Sequence, residues 1–189
     1  YSGETFEGTP GMTDPFHQTA AQLCRLGIKV FPVRWQSKTP VLTGNWKHYA
    51  TSDVDRFQHL TAAQKQFNLA VKLGPDSGIL DLELDSADAQ HEFQMLEDLF
   101  GTTQTVCYGS RRGLHRWFRW SEGLSVLGNA VPKYRGIELR LGTGDKGAYS
   151  VVPPSLHESG QVWYQWVPGC APWEIPIAPL PLWLENLFL

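Results

Sequence analysis

A chain of 189 residues that is 42% hydrophobic and 12% aromatic can bury a core as one domain or two small subdomains, and its composition is not that of a disordered chain. A net charge of −3 with a pI near 6.1 excludes a uniformly basic duplex-coating protein, so any nucleic-acid contact must come from local basic patches. No apolar run approaches the roughly 20 residues of a membrane span, and no secretory signal is visible. Cys24, Cys107 and Cys170 are far apart and form no CxxC pair. They support neither a zinc ribbon nor a disulfide framework and fit a reducing, cytoplasmic setting.

In chain order, residues 1–12 are polar and Gly-rich and read as a flexible arm or an appended remnant. Asp14 to Leu26 is a helix, with a capping Asp, Pro15 in the first turn and Gly27 as its stop. Ile28 to Val33 reads as a strand and Ser37 to Trp46 as a Pro/Gly-marked loop. Thr51 or Ser52 caps a second helix reaching about Gln64. Asn68 to Leu73 is a strand, closed by the turn Gly74-Pro75-Asp76. Gly78 to Asp85 is the next strand, and Ala87 to Phe100 an amphipathic helix placing Phe93, Leu96, Leu99 and Phe100 on one face. Further strands are expected at 104–108, 114–120, 136–141, 147–152 and 162–167. Residues 178–189 read as an apolar helix leading toward a further region.

Three segments carry chemistry. In Asp81-Leu82-Glu83-Leu84-Asp85 the period of two sends Leu82 and Leu84 to a core and the three carboxylates to the other face. Strands disfavour Asp, so solvent, basic partners or metal must compensate. Hard oxygen ligands at this spacing suit Mg²⁺ or Mn²⁺. Alone, the pattern fits a charged edge strand better than a metal site. Residues 109–120, GSRRGLHRWFRW, pack four arginines, His115 and three aromatics into twelve positions. The Ser110-Arg111-Arg112 turn can offer guanidinium forks to phosphates, and His115 can donate to a triphosphate oxygen. Arg116 and Arg119, interleaved with Trp117 and Trp120, suit a single-stranded nucleic-acid track. Default readings for the same residues are a packed strand histidine, a solvated hairpin tip and ordinary core aromatics. Ile137-Glu138-Leu139-Arg140-Leu141 alternates again. If it lies beside the first acidic strand, Glu138 can join Asp81 and Glu83, and Arg140 can meet a phosphate or pair with a carboxylate. A cross-strand Glu–Arg pair is the plainer reading.

In order and spacing these segments resemble the bifunctional DNA primase/polymerase N-terminal family of the archaeo-eukaryotic primase superfamily, from about Ala20 to Trp166. The resemblance is carried by residues 26–33 (LGIKVFPV), Lys38-Thr39-Pro40, Trp46, residues 68–71 (NLAV), Asp81-Leu82-Glu83, Ser110 to His115, Gly136-Ile137-Glu138-Leu139-Arg140, Val152-Pro153-Pro154-Ser155 and Tyr164-Gln165-Trp166.

The resemblance implies an α+β catalytic domain over 13–177, built as two interleaved subdomains, with an RRM-like antiparallel sheet carrying the carboxylates and a second small α/β subdomain. It further implies Asp81, Glu83 and Glu138 as catalytic ligands of two Mg²⁺ or Mn²⁺ ions, with Asp85 outside the metal shell. Ser110, Arg111, Arg112, His115 and Arg140 would bind the nucleotide, and Arg116 and Arg119 the nucleic acid. Glu138 stands where an Asp is usual, and the two arginines replace a Gly-rich turn. The expected activity is template-directed nucleotidyl transfer from dNTP or NTP on a single-stranded template or primer-template. The expected setting is replication of a phage, plasmid or other mobile element, with a fused or associated helicase and no membrane. Two alternatives remain at this point: a non-catalytic module that binds nucleotide or nucleic acid and recruits a helicase, and a metal-dependent initiator nuclease. The nuclease would need paired histidines, and the six here are scattered.

Overall fold

The computed structural model describes residues 14–42, 44–127 and 131–189. The arm expected at 1–12 lies outside the described residues.

The chain begins with α1 (Pro15–Arg25), whose first backbone N–H groups, of Phe16 and His17, donate to the Asp14 carboxylate at 2.9 and 3.1 Å. Gly27, at φ +77°, turns the chain into β1 (Val30–Arg34). The cap of α2 (Val54–Thr61) is Asp53 rather than Thr51 or Ser52. Thr51 is instead bridged to Val30 as a short β-contact, and α2 ends at Thr61, before Gln64. Next come β2 (Phe67–Lys72) and β3 (Ile79–Leu84), then α3 (Ala87–Phe100), capped by Ser86 and stopped by Gly101.

The second half is strand-rich: β4 (Cys107–Gly109), β5 (Leu114–Arg119), β6 (Lys133–Tyr134), β7 (Ile137–Arg140), β8 (Tyr149–Val152) and β9 (Gln165–Trp166). The tail departs from the single helix expected over 178–189. It forms β10 (Ala178–Pro179), parallel to β5, and then the short α4 (Leu182–Asn186). Pro179 and Pro181 lack the N–H groups a continuous helix needs, so the helix begins only after them.

The fold is mixed α+β with two sheets. A three-stranded antiparallel sheet runs β1-β2-β8, and a larger one runs β6-β7-β3-β5-β4-β9, with β10 on β5. One core gathers α1, α2 and the small sheet with Ile79, Tyr108 and Trp117 of the large sheet's near face, and with Tyr164 just before β9. The other gathers Leu80, Leu82, Leu84, Phe118 and Leu139 from the far face, under α3 and α4. Strand alternation therefore sorts β3 as expected: its leucines enter the far core, and Asp81 and Glu83 face the small sheet.

Helix α3 buries a narrower stripe than its composition suggests. Ala89, Phe93 and Glu97, spaced four apart, face inward, whereas Leu99 and Phe100 are 73% and 53% exposed. Phe100 is stacked on Trp183 of α4 at 5.4 Å.

Candidate active site

β3 lies between β5 and β7, and the registers align its acidic residues into two cross-strand rows. Asp81 sits opposite Trp117 on one side and Arg140 on the other. Glu83 sits opposite His115 and Glu138. The second row continues outward, with Tyr108 beside His115 and Lys133 beside Glu138. Directly opposed residues in an antiparallel pair share a face. The three carboxylates named as metal ligands therefore lie on one surface.

Asp81 is completely buried. Its Oδ2 accepts from Ser150 Oγ at 2.5 Å and Tyr108 OH at 3.5 Å, and lies 2.8 Å from His115 Nδ1. Burial pushes its carboxyl pKa up, but the charge and hydrogen bond of His115, with Ser150 and Arg140, hold it below the usual carboxylate value. Burial also disfavours charge on His115, yet Asp81 and then Glu83 outweigh it and raise the imidazole above its ordinary value. The His115 ring lies flat against Tyr108, 4.6 Å between centroids. Ser150 comes from β8 of the small sheet, so the two sheets meet at this carboxylate.

Asp81 Oδ1, by contrast, is buried without a hydrogen-bond partner. An orphaned carboxylate oxygen inside a protein is costly, and a cation would satisfy it. Glu83, two residues on, extends toward an open cleft, with Arg140 Nη1 at 3.5 Å and His115 Nε2 at 3.8 Å. A divalent ion fits this oxygen-rich pair. Glu138 shares the face, but its carboxylate is held by the Lys133 ammonium. Among the described residues, no three His, Cys, Asp or Glu side chains are gathered tightly enough to form a ready-made metal cluster.

The cleft, about 260 Å³, is bordered by Glu83, Asp85, Ser110, Arg111, Arg112, His115 and Arg140. The chain thus brings together all five of the expected nucleotide-binding residues. Arg140 is oriented by a 2.9 Å bond to the Tyr149 carbonyl. Ser110 Oγ is turned into its own hairpin, bonded to Gly113. Asp85 is 3.5 Å from the exposed Arg112 guanidinium. The hairpin closes against the end of β3 so tightly that a Cβ at Gly113 would lie 2.1 Å from the Leu84 carbonyl oxygen.

The two residues expected on a nucleic-acid track part company. Arg116 has the opposite strand parity from His115 and turns to the far face. There it forms a 2.8 Å ion pair with Glu97, donates to the Thr103 carbonyl and lies 5.0 Å from the Phe93 ring centre. Both partners are nearly buried, so Arg116 is a structural cation under α3, away from the cleft. Arg119 is exposed at the far end of β5.

Several residues at the site carried little sequence signal. Ser150 and Tyr108 look like ordinary strand residues, although a serine inside the apolar strand YSVV is a weak sign of a buried acceptor nearby. Lys38, Tyr149, His157, Glu158 and Tyr164 also border the cleft. Lys38 and Tyr164 entered the sequence reading only through the family pattern.

With this geometry in view, the comparison with known families is decisive for class. The family model of the bifunctional DNA primase/polymerase N-terminal region matches residues 20–183, and the chain belongs to that family. It is a family of DNA primase/polymerase-type nucleotidyltransferases, generally dependent on divalent metal. No curated protein matches the chain. No helix among the described residues is long and apolar enough to cross a membrane.

Proposed function

We propose that this domain is a template-directed DNA primase/polymerase, adding nucleotides to a 3′-hydroxyl or to an initiating nucleotide. The observation that carries the reading is Asp81, a fully buried carboxylate with one oxygen fully bonded and the other orphaned. Beside it, Glu83 opens into a cleft walled by arginines.

Asp81 and Glu83 would hold the divalent ions, Mg²⁺ or Mn²⁺, and Glu138 would join them on release from Lys133. When bound, two such ions activate the attacking hydroxyl and neutralise the triphosphate. The chain's own part is positioning. His115 and Ser150 fix the Asp81 carboxylate by occupying Oδ2, which leaves Oδ1 for a ligand. Arg140, braced between Glu83 and the Tyr149 carbonyl, places positive charge at the cleft wall. Arg111 and Arg112, on a turn shaped by Ser110, would close on phosphate oxygens, Arg112 by exchanging Asp85 for the phosphate. Arg119 is the remaining candidate for template contact. The family resemblance extends the reading to replication of a phage, plasmid or other mobile element, working with a helicase.

The test is the Asp81→Ala, Glu83→Ala double variant, checked for folding by circular dichroism. Primer extension and synthesis from nucleotides alone, both with Mn²⁺, should be lost. Undiminished synthesis by the folded variant would overturn the assignment.

A further inference from the structure

The cleft has a second wall, built by the small sheet, that none of the expected site residues accounts for. Lys38 and His157 stand on it, 119 positions apart in sequence. A single buried amide brings them together. Asn68 of β2 is 1% exposed. Its Nδ2 donates to the Ser37 carbonyl at 3.4 Å and the Leu156 carbonyl at 2.7 Å, and its Oδ1 accepts from Leu156 N at 3.1 Å. The residues immediately before Lys38 and before His157 are thus tied to one side chain.

Each wall residue is also held from its other side. The Lys38 carbonyl accepts from Tyr149 OH at 2.8 Å, and the Arg34 N–H bonds the Thr39 carbonyl. Tyr149 is the residue whose own carbonyl orients Arg140. Lys38 is exposed, and no partner among the described residues holds its ammonium. His157 is held by its own turn. Its Nδ1 accepts the Ser159 N–H at 3.1 Å and lies 3.0 Å from Ser159 Oγ, an arrangement that suits a ring proton on Nε2. Burial, then the charge of Lys38 and the hairpin arginines, lowers this imidazole's pKa against the opposing charge of Glu158.

A backbone-anchored, unpaired ammonium and an imidazole N–H donor, facing Arg111, Arg112 and Arg140 across a small polar cleft, describe an anion site with two walls. We infer that Lys38 and His157 bind the triphosphate tail of the incoming nucleotide from the small-sheet side. The hairpin arginines close on it from the other side. The inference deepens the nucleotidyl-transfer reading and rests on it for the identity of the ligand. The small volume of the cleft beside Glu83, about 260 Å³, favours a triphosphate over a template strand, which would need an extended track.

The experiment measures equilibrium binding, without template, for Lys38→Gln and His157→Asn. Asn retains an acceptor where Nδ1 stood and removes the Nε2 donor, so the Ser159 turn is preserved. The probes are dATP with Mn²⁺, inorganic tripolyphosphate, Mn²⁺ alone and an oligothymidylate. Lys38→Gln should weaken dATP and tripolyphosphate alike, by about tenfold or more, as expected for one lost charge-assisted bond. His157→Asn should weaken both less. Mn²⁺ and oligothymidylate binding should stay unchanged. Oligothymidylate binding that falls while tripolyphosphate binding holds would reassign the wall to the template and overturn the inference. Unchanged binding of every probe would overturn it too. Because these are binding measurements, they stand apart from the activity of the Asp81/Glu83 double variant: either reading can fail without the other.

Discussion

His115 Nδ1 lies 2.8 Å from Asp81 Oδ2, an ion pair sealed between two sheets with Asp81 wholly buried and His115 nearly so. Removing either charge would strand the other in a low-dielectric site. The pair therefore links protonation to stability. The Asp81 pKa is lowered, so its contribution is present above the unfolded value near 3.8 and is lost as pH falls through the folded value. The His115 pKa is raised, so its contribution is full below about 6.5 and is lost as pH rises through the folded value. Metal-free protein should be most stable between those limits and melt at lower temperature on the alkaline side. In His115→Gln, thermal melts in EDTA should lose that alkaline decline. A wild-type melting temperature that stays flat from pH 6 to 9 would contradict the pairing.

Lys133 and Glu138 pose a sharper question about the third carboxylate. The Lys133 ammonium neutralises a carboxylate that stands directly across from Glu83. Two like charges so placed repel unless a cation intervenes. Lys133→Ala should therefore tighten Mn²⁺ binding, by freeing Glu138 to serve the metal. Glu138→Ala should weaken it less than Asp81→Ala does. Titration calorimetry with Mn²⁺ alone measures all three, and looser binding in Lys133→Ala would exclude competition between the lysine and the metal.

The Arg116–Glu97 pair should behave as a structural element. Glu97→Ala leaves a nearly buried guanidinium unpaired and should cost about 3–5 kcal/mol in urea unfolding, the range for breaking a buried ion pair. Arg116→Met, which keeps much of the packing against Phe93, should cost less and leave oligothymidylate affinity unchanged in the folded protein. A large drop in that affinity would restore Arg116 to the nucleic-acid surface.

Gly113 should tolerate no side chain. A methyl group there meets the Leu84 carbonyl oxygen and the Asp85 backbone, neither of which has a flexible end to yield. Gly113→Ala should destabilise the fold by about 1–3 kcal/mol, as overpacking does. It should also raise the KM for nucleotide, because the hairpin carrying Arg111 and Arg112 must lift from β3. Wild-type stability and KM together would show that the close approach is not maintained in solution.

What the sequence determined by itself was local. Asp14 before Pro15 and Gly27 after α1 mark helix ends because caps act over three or four residues. The alternation in β3 sends Leu80, Leu82 and Leu84 to one face and Asp81 and Glu83 to the other because strand geometry repeats every two residues. The same rule, applied to β5, already separates Arg116 from His115, a distinction that counting arginines in a basic segment passes over. Where local rules compete, the sequence was less informative: Thr51 or Ser52 suits a cap, but Thr51 is bridged to Val30 and it is the Asp53 carboxylate that accepts the Asp55 and Arg56 N–H groups. Tertiary structure alone decided the rest. It set Ser150 and Tyr108 on the Asp81 carboxylate, bound Glu138 to Lys133, and laid β10 beside β5. It also used Asn68 to bring Lys38 and His157 to one wall. Apart from the Lys133–Glu138 contact, five positions apart, these relationships join residues 27 to 119 positions apart through burial and register, and no periodicity within a segment encodes which distant strand will lie beside it.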